Sequence, residues 1–203
     1  MNENTVVQKY ATLRERALEF GATAASLIPA SEVVVDERVR LKCAVPVCRG
    51  YGHYLHCPPN TFTPAEFREI LARFSAAMVI QVESSHSSAD LDEEGLAGKD
   101  LAALEAELHG DSTRKLGELL GRLEAEALKA GYPYATGLTG GLCVLCPECV
   151  GVGSGVPCRR PFEARPAMEG VGIDVMRTAE NAGLPMALSS DEPVRWTGLL
   201  LID

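Results

Sequence analysis

The stretch Thr63-Pro64-Ala65-Glu66-Phe67-Arg68-Glu69-Ile70-Leu71-Ala72-Arg73-Phe74, followed closely by Ala77-Met78-Val79-Ile80-Gln81-Val82, decides the fold class. A threonine cap, proline at the first helical position and glutamate three residues after the cap form a capping box, predicting a helix from Thr63 to about Phe74. The apolar run Ala77–Val82 is short and bounded, and reads as a strand. Helix passing directly into strand predicts helices packed on a sheet.

Working outward, Val6, Val7, Tyr10, Leu13, Ala17, Leu18 and Phe20 give a helical stripe over 6–20, closed by Gly21. Ala24–Leu27 then reads as a short strand. On the other side, Ser84–Lys99 turns polar and reads as a mobile surface loop, centred on 84–99. Asp100 is placed to cap a helical stretch to about Ala130, weakened by Gly110 and Gly117 and divisible there into two. Tyr134–Leu138 is an expected strand and Glu169–Ala182 an expected helix. Pro185–Leu188 and Trp196–Ile202 read as strands of a closing hairpin. The expectation is an α/β or α+β chain: a mixed sheet with helices packed on it, one domain over 1–203, and no internal repeat.

Nineteen Lys and Arg against 28 Asp and Glu give a net charge of −9, which argues against nucleic-acid or anionic-membrane partners. No apolar run reaches the ~20 residues of a membrane helix. The first residues, Met1-Asn2-Glu3-Asn4-Thr5, show no secretory signal, so a cytoplasmic location is expected. Seven cysteines are an odd number, and such a compartment keeps thiols reduced.

Those cysteines are grouped. Cys143-Val-Leu-Cys146-Pro-Glu-Cys149 is followed, after eight residues, by Cys158-Arg-Arg-Pro161. Two consecutive two-residue spacings put three thiolates on one tight loop, as in the bacterial ferredoxin run that wraps a four-iron cubane. The wider gap before Cys158 departs from that run, so Cys158 could close this cluster or serve another. Structural zinc is the competing reading, although zinc sites usually arrange cysteines in separated pairs. The second group is Cys43-x4-Cys48-x8-Cys57-Pro58-Pro59. Three thiolates leave a fourth position for water, His53 or His56, a distant thiolate or a substrate. For the two histidines a role outside the coordination shell is the plainer reading.

The run Asp36-Glu37-Arg38-Val39-Arg40-Leu41-Lys42-Cys43, then Cys48-Arg-Gly-Tyr51-Gly52, Cys57-Pro-Pro and the cysteine triplet resembles one group of proteins. The same holds for Cys158-Arg-Arg-Pro161, Arg165-Pro166-Ala167-Met168-Glu169 and Gly172-Ile173-Asp174-Val175. The group is the family of bacterial and archaeal predicted cysteine-rich metal-binding proteins. The resemblance runs from about Asp36 to the C-terminus, implies metal binding and supplies no reaction.

Arg38, Arg40, Lys42 and Arg49 flank one cysteine group, and Arg159, Arg160 and Arg165 the other. Cations beside an anionic cluster would stabilise it and raise its potential; surface pairing with Asp36, Glu37, Glu163 and Glu169 is the bland alternative. Gly151-Val-Gly-Ser-Gly155 lacks a P-loop ending and reads as a loop whose amides approach sulfur. Tyr51, Tyr54, Tyr132 and Tyr134 are candidates for pocket walls or core. Glu169 and Asp174 are five apart and make no acid/base pair on a helix face.

The resulting expectation is two iron–sulfur clusters, both [4Fe-4S] cubanes. Cys143, Cys146, Cys149 and Cys158 would hold one, and Cys43, Cys48 and Cys57 the other with an incomplete shell. The function would be electron transfer or redox and Lewis-acid chemistry at the open iron, with a redox protein or a small anionic or thiol ligand as partner. The alternative is a structural zinc protein serving as an interaction module.

Overall fold

The computed structural model describes residues 2–87, 101–184, 186 and 192–203. The fold is α+β. Helix α1 (Glu3–Glu19) leads to β1 (Ala24–Pro29), and a short helix α2 (Glu37–Ala44) precedes α3 (Pro64–Leu71) and β2 (Ala76–Ser87). A long helix α4 (Leu101–Lys129), β3 (Thr136–Leu138), helix α5 (Val175–Asn181) and β4 (Pro193–Ile202) complete it.

The sheet has the order β1-β2-β4-β3, and every pairing is antiparallel. The expected mixed sheet is therefore corrected. Alternating helices and strands made parallel pairing plausible, but β4 enters between β2 and β3. Those two strands run the same way and are joined through α4 without touching, a split β-α-β arrangement.

Both faces of the sheet are covered, which is why Ala77–Val82 shows no polar alternation. Met78, Ile80 and Val82 meet α1 and α4 through Tyr10, Leu13, Leu116, Leu120 and Leu123. Ala77 and Val79 face the opposite way, toward Phe67, Leu71, Met168, Val171 and Ile173. Gln81, buried in the strand, donates from Nε2 to the Leu184 carbonyl at 2.9 Å.

Helix ends follow their caps. Asn2 accepts from the Thr5 amide at 2.9 Å, starting α1 ahead of its apolar stripe. The Thr63–Glu66 capping box is present in both directions, and α3 stops at Leu71 rather than Phe74. Gly110 and Gly117 do not divide α4, because α4 is continuous and gains its stability from packing on the sheet.

The expected helix over 169–182 is broken. A 3-10 turn, Glu169–Val171, ends at Gly172 in the left-handed region (φ +88°), and Asp174 then caps α5. A Cβ at Gly172 would also stand 2.7 Å from Pro64 Cγ, so a side chain is excluded by both conformation and space. Residues 84–87 of the expected surface loop belong to β2, and 88–99 lie outside the described residues, as does the Asp100 cap. The first arm of the expected hairpin, 185–188, is also outside them apart from Met186; β4 pairs with β2 and β3. Among the described residues no helix is long and apolar enough to cross a membrane.

Candidate metal centre

Two long connections carry all seven cysteines. The first links β1 to β2 through α2, whose N-terminus is capped by Asp36 accepting from the Arg38 amide at 2.9 Å. Cys43 sits in the last turn of α2. A chain of tight turns follows: the Cys48 amide donates to Cys43, Tyr51 to Cys48, Cys57 to Tyr54, and Gly52 to Pro58 at 2.7 Å. The second connection leaves β3, crosses β4 on Gly140 and Gly141, and returns at Ala167. A Cβ on Gly141 would stand 2.9 Å from Trp196, and one on Gly140 would stand 2.9 Å from the Thr197 carbonyl, so two glycines let the chain pass this close.

The connections are tied together. Val152 donates its amide to the His53 carbonyl at 3.1 Å. Gly50 packs where a Cβ would be 2.5 Å from Leu142 Cδ2 and 3.0 Å from Cys57 Sγ.

The seven thiols sort into two cavities. Cys143, Cys146, Cys149 and Cys158 line one of about 20 Å³, together with Tyr54, His56 and Arg159. Cys43, Cys48 and Cys57 line the other, of about 260 Å³, with Lys42, Tyr51, Leu142 and Glu169. Neighbours in sequence fall on opposite sides: His56 and Leu142 line one cavity each while Cys57 and Cys143 line the other. Consecutive Cα atoms are ~3.8 Å apart, so the cavities adjoin and share a wall at these two points.

All seven cysteines are free thiols. Among the described residues no three Cys, His, Asp or Glu side chains converge at ligation distance; the thiols line cavity walls instead. Their chemistry nevertheless fits a cation. Burial, reinforced by Cys48 and Cys43 nearby, pushes the Cys57 thiol up to about 12. Burial likewise raises Cys43 and Cys143. A bound cation reverses that logic by holding such groups as thiolates. Two backbone amides also reach sulfur: Leu145 to Cys143, and Arg160 to Cys158 at 3.4 Å. They do not come from the 151–155 glycine run, whose contact is instead the Val152–His53 tie.

The flanking cations are mostly engaged elsewhere. Arg38 pairs with Asp36, Arg160 with Glu163 at 3.1 Å, and Arg40 donates to the Phe62 carbonyl at 3.2 Å. Arg165 forms a two-pronged pair with Glu124, and Glu124 also accepts the Gly137 amide at 2.6 Å, fixing the return of the second connection to α4 and β3. Arg159 donates to the Glu148 carbonyl at 2.8 Å, bracing Cys158 against the triplet. Lys42 is the cation that lines the three-cysteine cavity. Of the tyrosines, Tyr132 packs edge-on against Tyr10 and Tyr134 is exposed.

Neither histidine lines the three-cysteine cavity; His56 lies with the other group, its pKa lowered by burial and by Arg165. Glu169 does line it, a position that sequence reasoning assigned to a helix. The Gly170-Val-Gly172 pair of glycines was the signal that the helix breaks there. Helix α2 was also missed, though Asp36 before five helix-tolerant residues is a capping pattern.

Residues 26–202 match the family described as predicted metal-binding protein (DUF2284). The chain belongs to that family. No curated protein and no solved structure matches it. The family's description agrees with the expectation of metal binding. It names no metal and no reaction.

Proposed function

We propose that the protein is a cytoplasmic iron–sulfur protein of one domain with two adjacent, unequal centres. Cys143, Cys146, Cys149 and Cys158 would hold one, and Cys43, Cys48 and Cys57 the other. The observation carrying this reading is the sorting of seven unpaired thiols, four and three, into two cavities that share a wall. The two consecutive two-residue spacings favour iron–sulfur over zinc.

When bound, such clusters supply one-electron exchange, and Lewis acidity at an iron that lacks a thiolate. The chain's own part is to hold the donors and set access. Four cysteines complete one shell, whereas three leave a position open into the larger cavity, with Lys42 on its wall. That arrangement suits electron transfer between neighbouring centres and binding of a small anionic or thiol ligand at the second. A redox protein is the partner expected for electron exchange. The unpaired cysteines support a compartment that keeps thiols reduced.

One observation favours the zinc alternative for the four-cysteine site. About 20 Å³ is room for a single water-sized sphere, nearer one ion than a cubane. Anaerobic purification with iron, zinc and sulfide counts and an electronic spectrum separates the two. The expected result is a brown protein with iron and acid-labile sulfide in near-equal amounts. Stoichiometric zinc without sulfide would overturn the iron–sulfur reading and establish the structural one.

A further inference from the structure

Glu169 is a half-buried acid on the wall of the three-cysteine cavity. The 3-10 turn that carries it is fixed on both sides: Met168 donates to the Thr139 carbonyl at 2.8 Å and Ile173 to Met168 at 2.9 Å. Met168 and Val171 sink into the core of the α3–α5 face, leaving Glu169 on the side of the cysteine loops. Its Oε2 accepts from the Gly141 amide at 3.4 Å, longer than the ~2.7–3.2 Å of a good N–H···O bond. A carboxylate has about four lone-pair sites. The Glu169 amide is the second donor to this carboxylate, which leaves lone pairs to spare. The side chain lines the same cavity as Cys43, Cys48 and Cys57.

A carboxylate with spare lone pairs, facing three thiols, is the donor the three-cysteine group is missing. We propose that Glu169 is the fourth, non-thiolate ligand of the centre held by Cys43, Cys48 and Cys57, and that it yields its place to a small thiol. The proposal rests on the two-centre reading above. Oxygen is a harder and weaker partner than thiolate for a metal already bound to sulfur, so the fourth position stays exchangeable while the other three persist. In the exchange the metal–oxygen bond of Glu169 breaks and a metal–sulfur bond to the incoming thiolate forms. The thiol proton goes to buffer, and no oxidation occurs. The cavity of about 260 Å³ gives the incoming ligand room, and Lys42 on its wall gives an anion a cationic approach.

The test compares anaerobic wild type with Glu169→Gln and Cys57→Ser, following the metal spectrum during titration with 2-mercaptoethanol, with cobalt(II) replacing any zinc. Glutamine can still accept from the Gly141 amide, so a merely structural role is preserved. Glu169→Gln should keep its metal, show an altered resting spectrum, and bind the thiol about tenfold tighter, the factor expected if the carboxylate fills the position ~90% of the time. A resting spectrum and thiol affinity equal to wild type would overturn the proposal. If Cys57→Ser leaves the metal content of wild type unchanged, the three-cysteine centre itself is wrong and the proposal falls with it. Should Glu169→Gln fail to load, infrared difference spectra of wild type labelled with carbon-13 glutamate decide. One carboxylate band shifting on thiol addition supports ligation, and no shift overturns it.

Discussion

The two cysteine connections differ in how each is held and in how much room it leaves. The connection over 139–168 is fastened to the core: Arg165 grips Glu124 of α4, and both side chains are largely buried. It carries four thiols around about 20 Å³. The connection over 36–60 hangs from exposed pairs, Arg68 with Glu37 and Arg38 with Asp36, and its three thiols border about 260 Å³. Space is left where a thiol is missing, and the acid beside it comes from a distant turn. On the two-centre proposal, the more firmly anchored set of four would be the relay and the more loosely anchored set of three would accept the ligand.

Removing metal is the largest test of that contrast. Ligation energy becomes ordering energy for loops that have little core of their own. Anaerobic chelation should lower the melting temperature and open 43–59 and 140–166 to protease while the sheet persists. Cys149→Ser should release metal from one centre and Cys57→Ser from the other, measured by metal count. Equal melting and equal protease resistance with and without metal would show that packing alone orders both loops. Loss of both centres in either variant would show instead that the shared wall makes them one unit.

Two smaller tests address the anchoring. Arg165→Ala removes the pair with Glu124 and should destabilise by roughly 2 kcal/mol, below the ~3–5 of breaking a fully buried pair because Glu124 keeps the Gly137 amide. Urea unfolding measures it, and a change within error would make the contact incidental. Gly50→Ala tests the wall. Its Cβ would press on Leu142 and on Cys57 Sγ, costing about 1–3 kcal/mol as overpacking does. Its spectral effect should fall on the centre of Cys43, Cys48 and Cys57 more than on the other, since Cys57 takes the contact directly.

The same contrast explains what was legible in the sequence. The sheet core was, because capping at Thr63 and the apolar run at Ala77–Val82 are local patterns that tertiary packing reinforced. The grouping of cysteines into four and three is an expectation from spacing, and each group lines its own cavity. Strand direction was not legible, since β4 inserts between β2 and β3 from far along the chain. Glu169 was not either. Its place depends on Gly172 adopting φ +88° against Pro64, a contact between residues more than a hundred positions apart. Most flanking arginines are engaged with carboxylates or carbonyls, the bland reading of that charge pattern.

The smallest expected effect concerns acid and the looser connection. The Arg68 guanidinium, helped by the Glu37 backbone amide, holds the Glu37 carboxyl down at about 2. In the unfolded chain that carboxyl titrates near ~4.3. A group whose folded value is depressed contributes stability that is complete above the unfolded value and is lost as pH falls through the folded one. The contribution should therefore drain away between about pH 4 and 2, and only there. Both side chains are exposed, so the effect is modest and salt weakens it. Hydrogen exchange of the α2 amides, corrected for intrinsic rate, should show them opening more readily at pH 3 than at pH 6. Glu37→Gln should reduce that dependence while leaving the amides of α4 unchanged, the remainder belonging to the Asp36 cap, which Arg38 likewise holds down at about 2. If the variant keeps the full pH response, Glu37 does not hold α2, and the surface anchoring of this connection rests on the Asp36 cap alone.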